Sequence, residues 1–69
     1  MADEREIILD EMRRVDAMLY KNEQLFDLAV DEADIEALVY EHRALTIRQS
    51  ALIQKAKKLG LKEGLMCGR

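Results

Sequence analysis

Few residues in this chain have side chains that could carry out chemistry, and the first of them is its single histidine, His42. A histidine that acts as a general acid or base needs a carboxylate or nucleophile within reach and a pocket for substrate. The spacing of the chain predicts Asn22 opposite His42, with Leu38 and Leu45 beside it on its own helix. The sequence therefore favours a structural histidine, and we expect no enzymatic activity.

Metal, cofactor and disulfide chemistry are also disfavoured by the residue counts. Cys67 is the only cysteine, which excludes an internal disulfide and leaves an ordinary thiol. A structural zinc site takes four ligands, mostly Cys and His, and the chain has one of each. No acidic spacing matches a calcium loop or the Glu-x-x-His motif of di-metal bundles, and no phosphate-binding loop is present. We expect no catalytic residue, no metal and no cofactor.

Charge is distributed unevenly along the chain. Residues 1–35 contain eleven acids and four bases, whereas residues 36–69 contain three acids and seven bases. The first interpretation is that two antiparallel helices complement each other. The alternative is an anion-binding stripe for nucleic acid or an anionic surface, formed by Arg48, Lys55, Lys58 and Lys62. This stripe lacks interleaved aromatic residues and a known binding motif, so nucleic-acid binding remains the less favoured hypothesis.

The elements that position these residues are predicted to be helices. The chain has no proline, and its three glycines all lie at Gly60 or later. Heptad spacing of mostly apolar residues predicts one helix over about residues 4–29 and a second over about residues 32–59. The first seam is Ile8, Met12, Val15, Leu19, Asn22, Phe26 and Ala29, and the second is Ile35, Leu38, His42, Leu45, Gln49, Leu52, Ala56 and Leu59.

The boundary between the two helices is predicted at Asp31. Its carboxylate can accept the free amides of the next turn, and acids in that turn favour the positive helix end. The heptad phase also changes between Ala29 and Ile35. Because no glycine or proline forces a break, one continuous helix is the alternative. Gly60 is predicted to end the second helix, leaving residues 1–60 as a single hairpin domain and residues 61–69 as a flexible tail.

Folding the chain at the predicted break generates matched core layers. Leu19 falls opposite Leu45, and Met12 falls opposite Leu52. Phe26 falls opposite Leu38, and Ile8 opposite Ala56. The two polar seam residues, Asn22 and His42, fall in one layer. We therefore predict an all-α antiparallel hairpin in which this polar layer fixes the register. A buried neutral His42 would weaken it below about pH 6.

A second apolar stripe lies on the side of the second helix that faces away from the first. We call this stripe the outer face; it comprises Ala37, Tyr40, Ala44, Ile47 and Ala51. A helix that is apolar on two sides is normally buried, and a domain this small is marginal without association. The stripe predicts a homodimer that forms a four-helix bundle. Two alternatives are a foreign helix docked on this face, and alanines that serve only as surface helix formers.

The sequence also resembles a known family. The residues concerned are Leu25, Phe26, Asp31, Ile35, Glu36, Tyr40, Glu41, Ala44, Arg48, Leu52, Ile53, Ala56 and Lys57, in a region covering about residues 7–61. In this pattern the chain resembles the YaaL-like family of short bacterial proteins of unknown function. The resemblance implies a small cytosolic helical protein and no particular activity.

The sequence also predicts where the protein is located and what kind of role it has. The start of the chain is acidic, unlike a signal peptide, and no apolar run exceeds four residues, far below the ~20 that span a bilayer. We expect a cytoplasmic protein without a membrane segment. Together these features favour a non-enzymatic interaction module that self-associates as a coiled-coil-like dimer and binds an unidentified protein partner.

Overall fold

The computed structural model describes residues 3–60, and in this region the chain forms two helices packed against each other. Helix α1 spans Glu4–Leu28 and helix α2 spans Glu32–Lys58. They run antiparallel, since Glu11 near the start of α1 contacts Arg48 in the second half of α2. The predicted all-helical hairpin is confirmed, with both helices ending one residue earlier than expected. The alternative of one continuous helix is wrong.

The turn between the helices contains only residues 29–31. The amide of Ala29 donates to the Phe26 carbonyl, 3.3 Å, at the end of α1. Asp31 is the N-cap of α2, as predicted, but its carboxylate makes no capping hydrogen bond. Instead, its backbone carbonyl accepts from the Ile35 amide, 2.9 Å. The acids of the first turn of α2 still face the positive end of the helix dipole.

The carboxyl end of α2 follows the predicted pattern. Lys55, Lys57 and Lys58 occupy the last turn, where positive charge is favourable. Gly60 has a φ of 79° and donates its amide to the Lys57 carbonyl at 3.0 Å. Glycine takes this left-handed conformation without the steric cost of a Cβ. The helix therefore ends at this glycine for a local reason.

The core is a narrow strip between the two helices. Val15, Leu45 and Leu52 form its centre, and Met12 and Leu19 pack against them. Additional buried residues lie towards the open end of the hairpin, at Ile8 and Ala56. These are the apolar residues that the heptad seams predicted. Hairpin formation therefore buries one stripe of each helix and leaves the other sides exposed.

The end of the hairpin near the turn is more open than predicted. Phe26 was expected in the core opposite Leu38, but 41% of its surface is exposed. Leu28 and Val30 are exposed as well. On the turn side, the buried strip therefore ends at Asn22.

Two of the polar contacts between the helices flank the apolar core and hold the register. Arg48 Nη2 donates to Glu11 Oε1 at 2.7 Å, and Glu11 Oε2 accepts from Arg14 at 3.2 Å. On the other side of the core, Gln49 Nε2 donates to Asp16 Oδ1 at 3.0 Å. The hydrogen bond from Arg48, with the positive charges of Arg48, Arg14 and Lys55, lowers the pKa of Glu11. Because the pairs flank the core on both sides, they oppose sliding of one helix along the other.

The lowered pKa of Glu11 predicts a loss of stability in acid. A carboxylate whose pKa is lower in the folded state contributes stability above its unfolded pKa of about 4.3, and loses it as the pH falls through the folded value. Wild type should therefore be more stable than Glu11→Gln at pH 7, and the difference should shrink below about pH 4. Urea unfolding at several pH values measures it. The control is Glu23→Gln, which removes an exposed acid of α1 outside its first turn, and an equal pH response in both variants would contradict the assignment.

Residues 1–2 and 61–69 lie outside the described region. The predicted flexible tail falls there, and so do Lys62 and Cys67. Within residues 3–60, neither helix is both long enough and apolar enough to cross a membrane.

Candidate functional site

The outer face of α2 is an apolar surface that the hairpin leaves uncovered. All five of its residues are exposed. Tyr40 exposes 70% of its surface and Ile47 exposes 64%. The three alanines, Ala37, Ala44 and Ala51, repeat every seven residues, so they lie along one line of the helix. Small side chains on such a line allow another backbone to approach closely.

The apolar surface continues from α2 onto α1 near the turn. Ala37 and Leu38 line a groove of about 370 Å³ together with Leu25 and Leu28. Farther along α1, Met18 exposes 49% of its surface, one heptad before Leu25 and on the same side of that helix. The exposed apolar surface therefore extends beyond the predicted stripe to include residues of both helices.

The polar layer of the core contains Asn22, as predicted, but its partner is a different residue. Asn22 is 1% exposed, and its Nδ2 donates to the Leu38 carbonyl and to Glu41 Oε1, both at 3.0 Å. His42 is exposed. The prediction that His42 pairs with Asn22 in this layer is therefore wrong, and Glu41 takes that place. Glu41 lies one residue earlier on α2 and points to the opposite side of the seam.

The exposed position of His42 removes the reason to expect a pH switch. The weakening predicted below about pH 6 assumed a buried imidazole, so the structure provides no basis for it. His42 instead lines an open groove of about 520 Å³ whose other residues are Asn22, Glu23, Phe26, Asp27 and Val39. The Oδ1 atom of Asn22 is buried and lacks a hydrogen-bond donor. This is an energetic cost of the polar layer.

The predicted anion-binding stripe is altered by the fold. Arg48 is paired with Glu11 across the hairpin, so its charge is partly neutralised in place. Lys55 and Lys58 are exposed near the end of α2. Lys62 lies outside the described residues. The structure therefore pairs one of the four bases of the stripe with an acid of α1.

No other constellation in the described part of the chain indicates chemistry. Within residues 3–60 no group of three or more His, Cys, Asp or Glu side chains is placed to hold a metal ion. Comparison with family models, with curated proteins and with solved structures found no match to this chain. The resemblance to the YaaL-like family stays a prediction. The outer face of α2 is therefore the candidate site.

Proposed function

We propose that this chain is a non-enzymatic helical assembly module that self-associates through the outer face of α2. The observation that carries the proposal is the exposure of Tyr40 and Ile47 on a helix whose opposite side already packs on α1. Burying such apolar surface is favourable by about 25 cal/mol per Å². A second copy of the chain supplies the same surface, which makes an isologous four-helix dimer the simplest occupant.

Self-association would also add buried apolar surface to a chain whose own core is small. The hairpin buries only a narrow strip, and chains of this length gain stability from oligomerisation when they lack disulfides and metals. In the cell, the dimer acts by presenting its remaining surface to a protein partner. Binding of nucleic acid through the basic end of α2 gains no specific support, since Arg48 is already paired with Glu11.

Replacement of Ile47 tests where the interface lies. Ile47→Glu places a charge at the centre of the outer face, and its desolvation opposes association. We expect the dimer dissociation constant to rise at least tenfold, with the helical content of the dissociated chain retained. Sedimentation velocity across a concentration series, with circular dichroism on the same samples, measures both quantities.

The matched control is Val39→Glu. Val39 is also apolar and exposed on α2, but it lies on the side that borders His42, away from the outer face. We expect the control to dimerise as wild type does. Equal weakening by both substitutions would contradict the proposed interface. A wild-type chain that is monomeric throughout would contradict self-association and leave a foreign helix as the occupant.

A further inference from the structure

The side chains on and beside the outer face also indicate how the two copies are oriented. We infer that the α2 helices of two chains pack antiparallel, with Ala44 of one copy opposite Ile47 of the other. This inference rests on the proposed self-association and adds its direction and register. It is derived from two independent features of α2, the order of small and large residues and the order of charges.

The first feature is the alternation of small and large residues along the outer face. In the antiparallel arrangement, Ala44 lies opposite Ile47 of the second copy and Ala51 lies opposite its Tyr40. Each large side chain then packs over a small one, which fills space evenly. A parallel arrangement places Ile47 against Ile47 and Tyr40 against Tyr40, with layers of alanine between them. Layers of large side chains need a wider separation between the helices than layers of alanine do. One common separation would therefore leave gaps at the alanine layers.

The second feature is a row of charges on the edge of the outer face nearest α1. Asp34, Glu41, Arg48 and Lys55 follow one another at heptad spacing, with two acids before two bases. In antiparallel helix pairs, equivalent flanking positions of the two helices meet. The same register brings Asp34 beside Lys55 of the second copy and Glu41 beside its Arg48. When the second helix runs in the opposite direction, each acid of this row therefore meets a base of the same row in the other copy.

The opposite edge of the outer face follows the same rule. Its heptad-spaced residues are Glu36, Arg43, Ser50 and Lys57. The antiparallel register brings Glu36 beside Lys57 of the second copy and Arg43 beside its neutral Ser50.

Parallel helices would pair one edge with the other. Glu36 would then lie beside Glu41 of the second copy, and Arg43 beside its Arg48, so both contacts would be repulsive. Each exposed ion pair contributes little affinity. Such pairs therefore select orientation more than they supply affinity.

The contacts within the hairpin leave these groups able to pair with a second chain. Arg48 uses Nη2 for Glu11, and a guanidinium has five N–H donors. Glu41 uses Oε1 for Asn22, and its Oε2 can accept from another copy. In the dimer, Glu41 thus joins the buried Asn22 of its own chain to Arg48 of the second. The network links the polar layer of the hairpin to the interface between copies.

Disulfide trapping tests this arrangement. Two single-cysteine chains, Ala37→Cys and Gln54→Cys, are made in a Cys67→Ser background, refolded together and oxidised. The inferred register places position 37 opposite position 54 of the other copy. It separates position 37 from its own counterpart by about 25 Å along the helix. Because a disulfide requires Cα atoms within about 7 Å, the mixed sample should form the heterodimeric disulfide and each chain alone should form little.

The outcomes separate this inference from the proposed self-association, provided that the solution mass of each sample is also measured. A dimer in which Ala37→Cys alone crosslinks efficiently would show parallel helices, overturning the inference while leaving self-association intact. A dimer with no disulfide in any sample would overturn the register. A monomeric mass would contradict the proposed function itself. Preferential formation of the mixed disulfide by a dimer supports both.

Discussion

Replacing Leu45 with alanine is expected to destabilise the hairpin by about 2–5 kcal/mol, the usual cost of emptying a buried leucine site. Leu45 lies at the centre of the core with Val15 and Leu52, and few other buried residues are present to compensate. Small domains have total stabilities of only about 5–15 kcal/mol. A large fraction of the chain should therefore unfold at low urea concentration.

The control for Leu45→Ala is Val30→Ala in the turn, where the side chain exposes 92% of its surface. Exposed substitutions usually change stability by less than about 0.5 kcal/mol. Urea unfolding followed by circular dichroism, at one fixed chain concentration, compares the two variants. The concentration must be fixed because association adds to apparent stability. Similar losses in both variants would contradict a core centred on Leu45.

The second large effect is expected at Asn22, through the change to aspartate. The new carboxylate has nearly the same shape, but it loses both hydrogen bonds that Nδ2 donates to Leu38 and Glu41. It also places a second negative charge beside Glu41 in a buried position. An uncompensated buried charge costs about 3–5 kcal/mol. Asn22→Asp should therefore be strongly destabilised at pH 7.

The pH dependence of this variant gives an independent check. Burial and a neighbouring acid disfavour the charged form, so the penalty applies while the new carboxylate is ionised and is relieved as acid protonates it. The deficit relative to wild type should therefore shrink between pH 7 and about pH 4.

Asn22→Leu is the control, because it introduces no charge and removes the unpaired Oδ1 atom. It loses the same two hydrogen bonds without adding a charge, so its deficit should be clearly smaller than that of Asn22→Asp. A deficit of the same size for leucine and aspartate at pH 7 would mean that the loss of the two Nδ2 hydrogen bonds, and not charge, dominates this position.

The helices and their register were predictable because several local signals agree. Asp31 and Gly60 mark the start and end of α2, and the heptad seams identify Val15, Leu45 and Leu52 as core residues. Each signal depends on near neighbours in the chain or on helical periodicity. Agreement among such signals is what a specified fold requires. Helical periodicity also predicts the exposure of the outer face. When the seam of α2 packs against α1, the stripe on the opposite side of α2 must point away from α1.

The details of the polar layer were not predictable in the same way. Helical spacing places Glu41 and His42 on opposite sides of the line through Leu38 and Leu45, at similar angles from that line. The choice between them depends on the side to which the Asn22 amide turns. In the structure it turns towards Glu41, where the Leu38 carbonyl and the Glu41 carboxylate both accept hydrogen bonds from it. That choice requires coordinates of both helices. The exposure of Phe26 has a similar origin, because the separation of the helices at the turn is a tertiary property.

Sedimentation equilibrium of the unmodified chain over a wide concentration range measures self-association itself. We expect a monomer–dimer equilibrium whose average mass approaches twice the 8.0 kDa mass of one chain at high concentration. A single species of 8.0 kDa with full helical content at every concentration would contradict self-association through the outer face of α2.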